Sequence, residues 1–215
     1  MNRALGRISL IVLASALASG CDSLAYLGYL LAPSGGTKKV PAEFEGLSGR
    51  TVAVVIYADQ GVLFEYPYAR LSLSLKIGAE LKDKVKKVAV VDPRRVIKYQ
   101  DENFRWDAMA KNQLGRELNA DCVLFVVLEK YTTREPGSVN LYRGQIMAQA
   151  SVYQASLPEA EARVWEGESM SVIYPLHAPT GEIGEDDSAV REETERRLTD
   201  MLVRKFYAHE VPKSE

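Results

Sequence analysis

Histidine and cysteine are scarce in this 215-residue chain: His177, His209, Cys21 and Cys122 are the full set. So few cysteines exclude a small fold stapled by disulfides. No Cys-x-x-Cys pair, His-Glu-x-x-His motif or other spaced ligand set occurs, so the sequence carries no metal-binding signature. Gly-x-Ser-x-Gly elbows and Walker A loops are missing as well. Neither sign of charge is in excess. There are 27 Lys+Arg against 29 Asp+Glu, a net of −2, so no nucleic-acid partner is expected. The mean hydropathy of −0.15 excludes a chain built mostly of membrane spans.

What is present is a globular composition, 47% apolar and 26% charged, at a length that suits one domain. A distinct N-terminal segment comes first. Arg3 and Arg7 form a basic start, residues 8–18 an uncharged apolar run, and Ala18-Ser19-Gly20-Cys21 closes it. A run this short, at about 1.5 Å per helical residue, cannot cross a hydrocarbon core of about 30 Å. It has the length of the apolar region of a secretory signal.

The segment resembles a bacterial lipoprotein signal peptide, with Ala18-Ser19-Gly20-Cys21 as the lipobox and the family's usual Leu one place early, at Leu17. That resemblance implies diacylglycerol on the Cys21 sulfur, cleavage before Cys21, and a further acyl chain such as palmitate on the new amine. Several acyl chains on one residue anchor stably, since each buried CH₂ contributes about 0.8 kcal/mol. A plain signal peptide that happens to precede a cysteine, or an uncleaved anchor, are the alternatives. Cleavage would remove two arginines and no acid, leaving 25 basic residues against 29 acidic ones, a net of −4, in 195 residues. Asp22 resembles the enteric inner-membrane retention signal. It leans the expected location, the periplasmic side of the envelope, toward the inner membrane, with the outer membrane as the alternative.

The expected organisation is a signal peptide at 1–20, a lipid-anchored tether at 21–45, a globular domain at 46–210 and a tail at 211–215. In the tether, residues 24–31 are apolar and include Tyr26 and Tyr29; they suit either the lipid headgroups or packing on the domain. Residues 51–57 are a β-branched apolar run, expected as a strand buried on both faces. Residues 67–87 predict a helix, with Leu71, Leu75, Ile77, Leu81 and Val85 inside an arc of about 160°. Lys82, Lys84, Lys86 and Lys87 at its end suit the helix dipole and need no ligand. Residues 88–91 form a short strand stopped by Asp92-Pro93. Trp106, Ala110, Leu114 and Leu118 make a helix stripe that ends at Asn119. Residues 122–128 are the strongest strand, Pro136-Gly137 marks a turn, and residues 142–152 alternate with one wet face. Residues 163–173 read as the hairpin partner, with Trp165 and Val172 in the core. After a Pro/Gly/acid loop at 175–187, a last helix turns Val190, Thr194, Leu198, Met201, Leu202 and Phe206 inward. Its outer pairs are Glu192–Arg196, Glu193–Arg197 and Asp200–Arg204. The order β-α-β-α-β-β-β-α predicts an α/β (α+β) fold: one mixed sheet of about five strands with three main helices.

The run from Leu114-Gly115 through Leu118-Asn119-Ala120-Asp121 into residues 122–127 is similar to the Leu-Gly…Ala-Asp-Tyr-Val-Leu segment of CsgG-like lipoproteins. That group includes the curli secretion lipoprotein, the penicillin-binding-protein activator LpoB and the N-terminal domain of TolB. Val164-Trp165-Glu166-Gly167 resembles the family segment whose strand closes the sheet. The likeness spans roughly residues 47–205 and implies a CsgG/LpoB/TolB-N-like periplasmic domain; fold alone does not imply function. One departure argues against a pore. The curli channel inserts paired amphipathic hairpins, whereas here only residues 142–152 are long enough, and Arg143, Gln145 and Gln149 line their outer face.

No catalytic set emerges. His177, in the Pro/Gly loop, and His209, near the C-terminus, read as surface residues. Cys122 opens the most apolar strand and reads as a buried small hydrophobe rather than a nucleophile. Glu182, Glu185, Asp186 and Asp187 could offer oxygens to Ca²⁺, but they lack the calcium-loop frame and equally suit a helix N-terminus. Asp92-Pro93-Arg94-Arg95 reads as helix-start chemistry ahead of an anion or partner site.

The expectation is a membrane-anchored envelope lipoprotein. It has no cofactor or enzymatic activity and binds an envelope protein, as a secretion or cell-wall assembly factor does; a homo-oligomer is compatible with this. A periplasmic small-ligand-binding protein or hydrolase is the alternative, and it would place a cleft at Asp59, Asp92 or His177. If Cys21 is the lipid site, Cys21→Ala releases the chain from membranes in fractionated cells; unchanged fractionation would sink the anchor.

Overall fold

The computed structural model describes residues 37–135, 137–138, 141–176, 182–183 and 187–212. Cys21, Tyr26, Tyr29, Pro136, His177, Glu185 and Asp186 lie outside them. The chain divides into two units. One contains β1 (Thr37–Val40), which pairs with β9 (His209–Pro212) in a two-stranded ribbon; Thr37 Oγ1 donates to Glu210 at 2.9 Å. The other, Pro41–His209, holds the sheet and the helices.

That second unit is a mixed α+β domain. Its central strands are β2 (Thr51–Tyr57), β4 (Cys122–Arg134) and β5 (Leu141–Gln154). β3 (Ala89–Val90) and β4 flank β2 in parallel, and β5 runs antiparallel to β4. The far edge of β5 is shared by three short strands, β6 (Arg163–Glu166), β7 (Met170–Tyr174) and β8 (Glu182–Ile183). The expected single partner at 163–173 is therefore broken in two. Between the paired positions, three residues (167–169) face two on β5 (149–150), a bulge at which the Gly167 N–H reaches the Ala150 carbonyl at 2.9 Å.

Among the described residues five α-helices cover the sheet, against the three expected: α1 (Gln60–Glu65), α2 (Ala69–Lys84), α3 (Pro93–Glu102), α4 (Lys111–Glu117) and α5 (Asp187–Val203). β2 is buried on both sides, as its run of apolar residues implies. Val52, Val54 and Ile56 face α2 and α5, while Ala53 and Val55 face α3 and α4. Leu73, Ile77 and Leu81 of α2 and Leu198 and Leu202 of α5 are fully buried on the larger side. Burial of each such side chain contributes about 1.5–3 kcal/mol.

Several sequence expectations shift here. The inward face of α2 is Ala69, Leu73, Ile77 and Leu81; Leu75 is exposed and Leu71 half-buried. α2 is apolar on two sides, and periodicity alone cannot choose between them. Trp106 is buried but lies in a turn before α4, not on its stripe. Met201 points outward. Arg196 bonds Glu193 at 2.7 Å rather than Glu192, while the Glu193–Arg197 and Asp200–Arg204 pairs form as expected, at 2.7 and 2.8 Å. The Arg196 and Arg197 guanidiniums hold the Glu193 carboxyl down to about 2. The wet face of β5 is only partly exposed, and Ser151 on it is buried.

Asn119 does end its helix. It sits at φ 53°, and the Asn119 and Ala120 N–H groups return to the Arg116 and Gly115 carbonyls at 3.0 and 2.8 Å, a Schellman closure. Asp121 then pins the sheet, its side chain accepting from the Thr51 N–H at 2.7 Å. Residues before 46 also dock on the domain: the Glu43 and Phe44 N–H groups donate to the Lys205 carbonyl at 2.8 and 3.1 Å, and Phe44 packs near Trp165.

α5 crosses β5 where a side chain is missing. A Cβ on Gly144 would overlap the Thr194 side chain, which is buried and bonded to the Val190 carbonyl at 2.6 Å. Gly144→Ala is expected to cost about 1–3 kcal/mol as overpacking, lowering Tm by roughly 2–10 °C in thermal unfolding followed by circular dichroism.

Candidate functional site

β4 and β5 continue past the end of β2. The β2 pairing stops at Tyr57↔Val127, while the β4–β5 ladder runs on to Arg134↔Tyr142. This overhang would expose one apolar face, and the loop after α1, the start of α2 and the start of α5 cover it. The cover is held by side-chain hydrogen bonds. Tyr131 on β4 donates to Glu195 of α5 at 2.6 Å, and Ser72 of α2 donates to the other Glu195 oxygen at 2.5 Å. The Lys76 ammonium lies 3.4 Å from that second oxygen. Glu195 is 1% exposed, so its acceptors are satisfied inside the protein, as a buried carboxyl requires.

A second set lies alongside. Thr133 donates its hydroxyl to Asp187 at the start of α5. The Tyr66 hydroxyl, 3.1 Å from Thr133 Oγ1, therefore donates to that oxygen, and it accepts the Thr133 N–H at 3.0 Å. The rings of Tyr66 and Tyr131 meet at 4.8 Å and join the two sets. Burial, then the neighbouring Glu195 carboxyl, push the Tyr131 hydroxyl far above an ordinary phenol, so it remains a donor throughout the physiological range.

The outer rim of this cover is a polar cleft of about 550 Å³, lined by Glu65, Tyr66, Lys130, Thr133, Arg134 and Arg191 among others. Both oxygens of Glu195 are engaged, so the network positions elements and offers no free base. Lys130, Arg134 and Arg191 oppose Glu65, Glu135 and Asp187 around the opening, which suits a polar contact of mixed charge.

Beside the cleft the same end carries apolar surface. Phe64 is 89%, Tyr68 76% and Phe104 93% exposed. Phe64 is in α1, which follows the carboxyl end of β2. Phe104 follows α3, whose Gln100 amide donates to the Ile56 carbonyl at 3.0 Å. An Arg70–Asp101 bond of 2.7 Å ties α2 to the end of α3. Three large aromatics at one pole are more than the scattered exposure normal for a surface.

The sequence candidates fall elsewhere. Asp59 caps α1 by accepting the Val62 N–H at 2.8 Å, and Asp92 caps α3 by accepting the Arg94 N–H at 2.9 Å. Cys122 is buried, and burial pushes its thiol up. His209 opens β9, its Nδ1 3.2 Å from the Tyr207 carbonyl. Of the acidic run, the backbone of Glu182 pairs in β8 and Asp187 is engaged by Thr133. Among the described residues no group of three His, Cys, Asp or Glu is placed to hold a metal ion, and no helix is long and apolar enough to cross a membrane. The network itself was missed. Its signal was Glu195, an acid on the inward arc of a helix that otherwise turns apolar residues to the core.

Tyr131→Phe would leave one Glu195 oxygen buried without its donor. The expected cost is about 1.5–3 kcal/mol, read as a lower urea midpoint at unchanged m-value.

The chain matches no family model and no curated protein. Among solved structures it is similar to the PelC dodecamer from Paraburkholderia phytofirmans, at 13% identity over 80% of this chain and 98% of that one, with a TM-score of 0.44. It is also similar to lipoprotein GNA1162 from Neisseria meningitidis, at 14% identity over 71% and 96% with a TM-score of 0.37. The hypothetical protein CT253 from Chlamydia trachomatis aligns at 12% identity over 73% and 96%, with a TM-score of 0.39.

Proposed function

We propose that this chain is a lipid-anchored envelope lipoprotein on the periplasmic side of its membrane. Its domain docks another envelope protein and does no chemistry of its own. The anchor rests on the Ala18-Ser19-Gly20-Cys21 box and the basic and apolar segment before it. The docking role rests on one observation above others: Phe64, Tyr68 and Phe104 stand exposed at the pole opposite the point where the chain enters the domain. That point lies at Pro41–Phe44, against Lys205 beyond the end of α5. β4 runs between the two ends, and its 13 residues at about 3.3 Å each span roughly 40 Å. A tether at one end and exposed aromatics at the other suit a module that presents its far pole outward, since aromatic anchors dominate protein interfaces.

The alternative, a hydrolase or small-ligand site at Asp59 or Asp92, is weakened because both carboxylates are helix caps. The Tyr66–Arg191 cleft favours a different version of it, a site for a polar ligand, and would form the rim of the proposed interface.

A photoreactive residue at position 64 or 104 in cells should crosslink a protein, and the same probe at Lys98, on exposed α3 surface, should not. Phe64→Ser with Phe104→Ser should abolish the product without changing membrane fractionation or Tm. Equal products at all three positions, or none, would overturn the docking pole. A product of twice the chain's mass would make the partner a second copy.

A further inference from the structure

The end of the domain where the chain enters carries a charge that the overall balance conceals. Lys82 and Lys84 close α2, Lys86 and Lys87 form the turn after it, and Arg50 precedes β2. All five are exposed. The fold gathers them. Ser48 Oγ and the Gly49 N–H both donate to the Lys86 carbonyl, at 3.0 and 3.1 Å, and the Ala89 N–H donates to the Arg50 carbonyl at 2.9 Å. Two acids share these segments, Glu45 and Asp83, and Asp83 is paired with Lys84 at 2.8 Å. Asp121, also exposed, accepts the Thr51 N–H at 2.7 Å beside Arg50, so five exposed cations stand against three exposed acids on this surface of a chain whose total charge is −2. The helix dipole accounts for Lys82 and Lys84 in the last turn. It does not account for Lys86, Lys87 or Arg50, which lie beyond the helix.

The position of this surface selects its partner. Glu43 and Phe44 are tied to the Lys205 carbonyl, and only five residues separate Phe44 from Arg50. Arg50 of the patch is thus close in sequence to the point from which the chain leads back toward Cys21. We propose that Arg50, Lys82, Lys84, Lys86 and Lys87 form a membrane-docking surface that seats the domain on anionic lipid headgroups. The surface would hold the domain upright, with the aromatic pole pointing away from the bilayer. This rests on the lipid-anchor reading. An acyl anchor keeps the patch near the bilayer at high effective concentration. Each cation near an anionic surface then strengthens contact by roughly fivefold, screened by salt.

The test uses the full lipidated chain in proteoliposomes, with a single fluorophore introduced by Ser48→Cys and a headgroup quencher in the lipid. Vesicles of phosphatidylcholine alone are compared with vesicles containing phosphatidylglycerol. Quenching is expected in the anionic vesicles, to be lost in 0.5 M salt, and to fall by about tenfold or more when Lys82, Lys84, Lys86 and Lys87 are all replaced by Gln. A second fluorophore at Phe104→Cys should remain unquenched throughout. Equal quenching in neutral and anionic vesicles, or in the Gln variant, overturns the docking surface and leaves the anchor standing. A chain whose mass lacks the acyl groups overturns the anchor and the docking together. Because the substituted lysines are exposed and outside the core, an unchanged Tm separates loss of docking from loss of folding.

Discussion

The pairing of β4 with β5 outlasts the parallel part of the sheet, and the structure around one pole follows from covering that overhang. Beyond Val127 the ladder has no β2 beside it, so its inner face must be closed by something other than a strand. The start of α5 and the turn between α1 and α2 close it. They bring polar groups into the buried interior, where each donor and acceptor needs a partner. Glu195 meets this requirement with Tyr131, Ser72 and Lys76, and Thr133 meets it with Tyr66 and Asp187. A buried network of this kind stabilises less by its net energy than by the cost of any arrangement that leaves one member unpaired. It fixes where α1 ends and α5 begins, and hence where Phe64 and Tyr68 emerge.

The domain is also polar along its length. Tyr68 stands at the start of α2, Phe64 in the last turn of α1 before it and Phe104 just after α3, while Lys82 and Lys84 close α2 at the other end. The lysines at the end of α2 are favoured there by the helix dipole. The turn after it adds Lys86 and Lys87, both exposed to solvent. Opposite surface chemistries at opposite ends suit a module held at one end and read at the other.

Much of this architecture was legible beforehand. The runs at β2 and β4 are apolar at every position, and such runs have few homes other than the centre of a covered sheet. Asn119 announced the end of α4 because a left-handed residue is needed there and Asn tolerates it. The strand at β5 and two of the three charge pairs of α5 were equally plain. The short elements α1, α3 and β8, and the break that divides residues 163–173 into β6 and β7, were not. Elements of two to ten residues carry too few periods to stand out, and they form because neighbours already in place give them something to pack on.

Local residue order thus determined which segments become strands and helices, and it supplies the reading of Cys21 as a lipid site. It left open which side of α2 turns inward, since Leu71 and Leu75 are as apolar as Leu73 and Ile77. It also left open that an acid in α5 would be buried, and that lysines distant in sequence from Arg50 would share its surface. Tertiary structure decided these. Each depends on which segments meet across the sheet, and periodicity within one segment carries no information about its eventual neighbours.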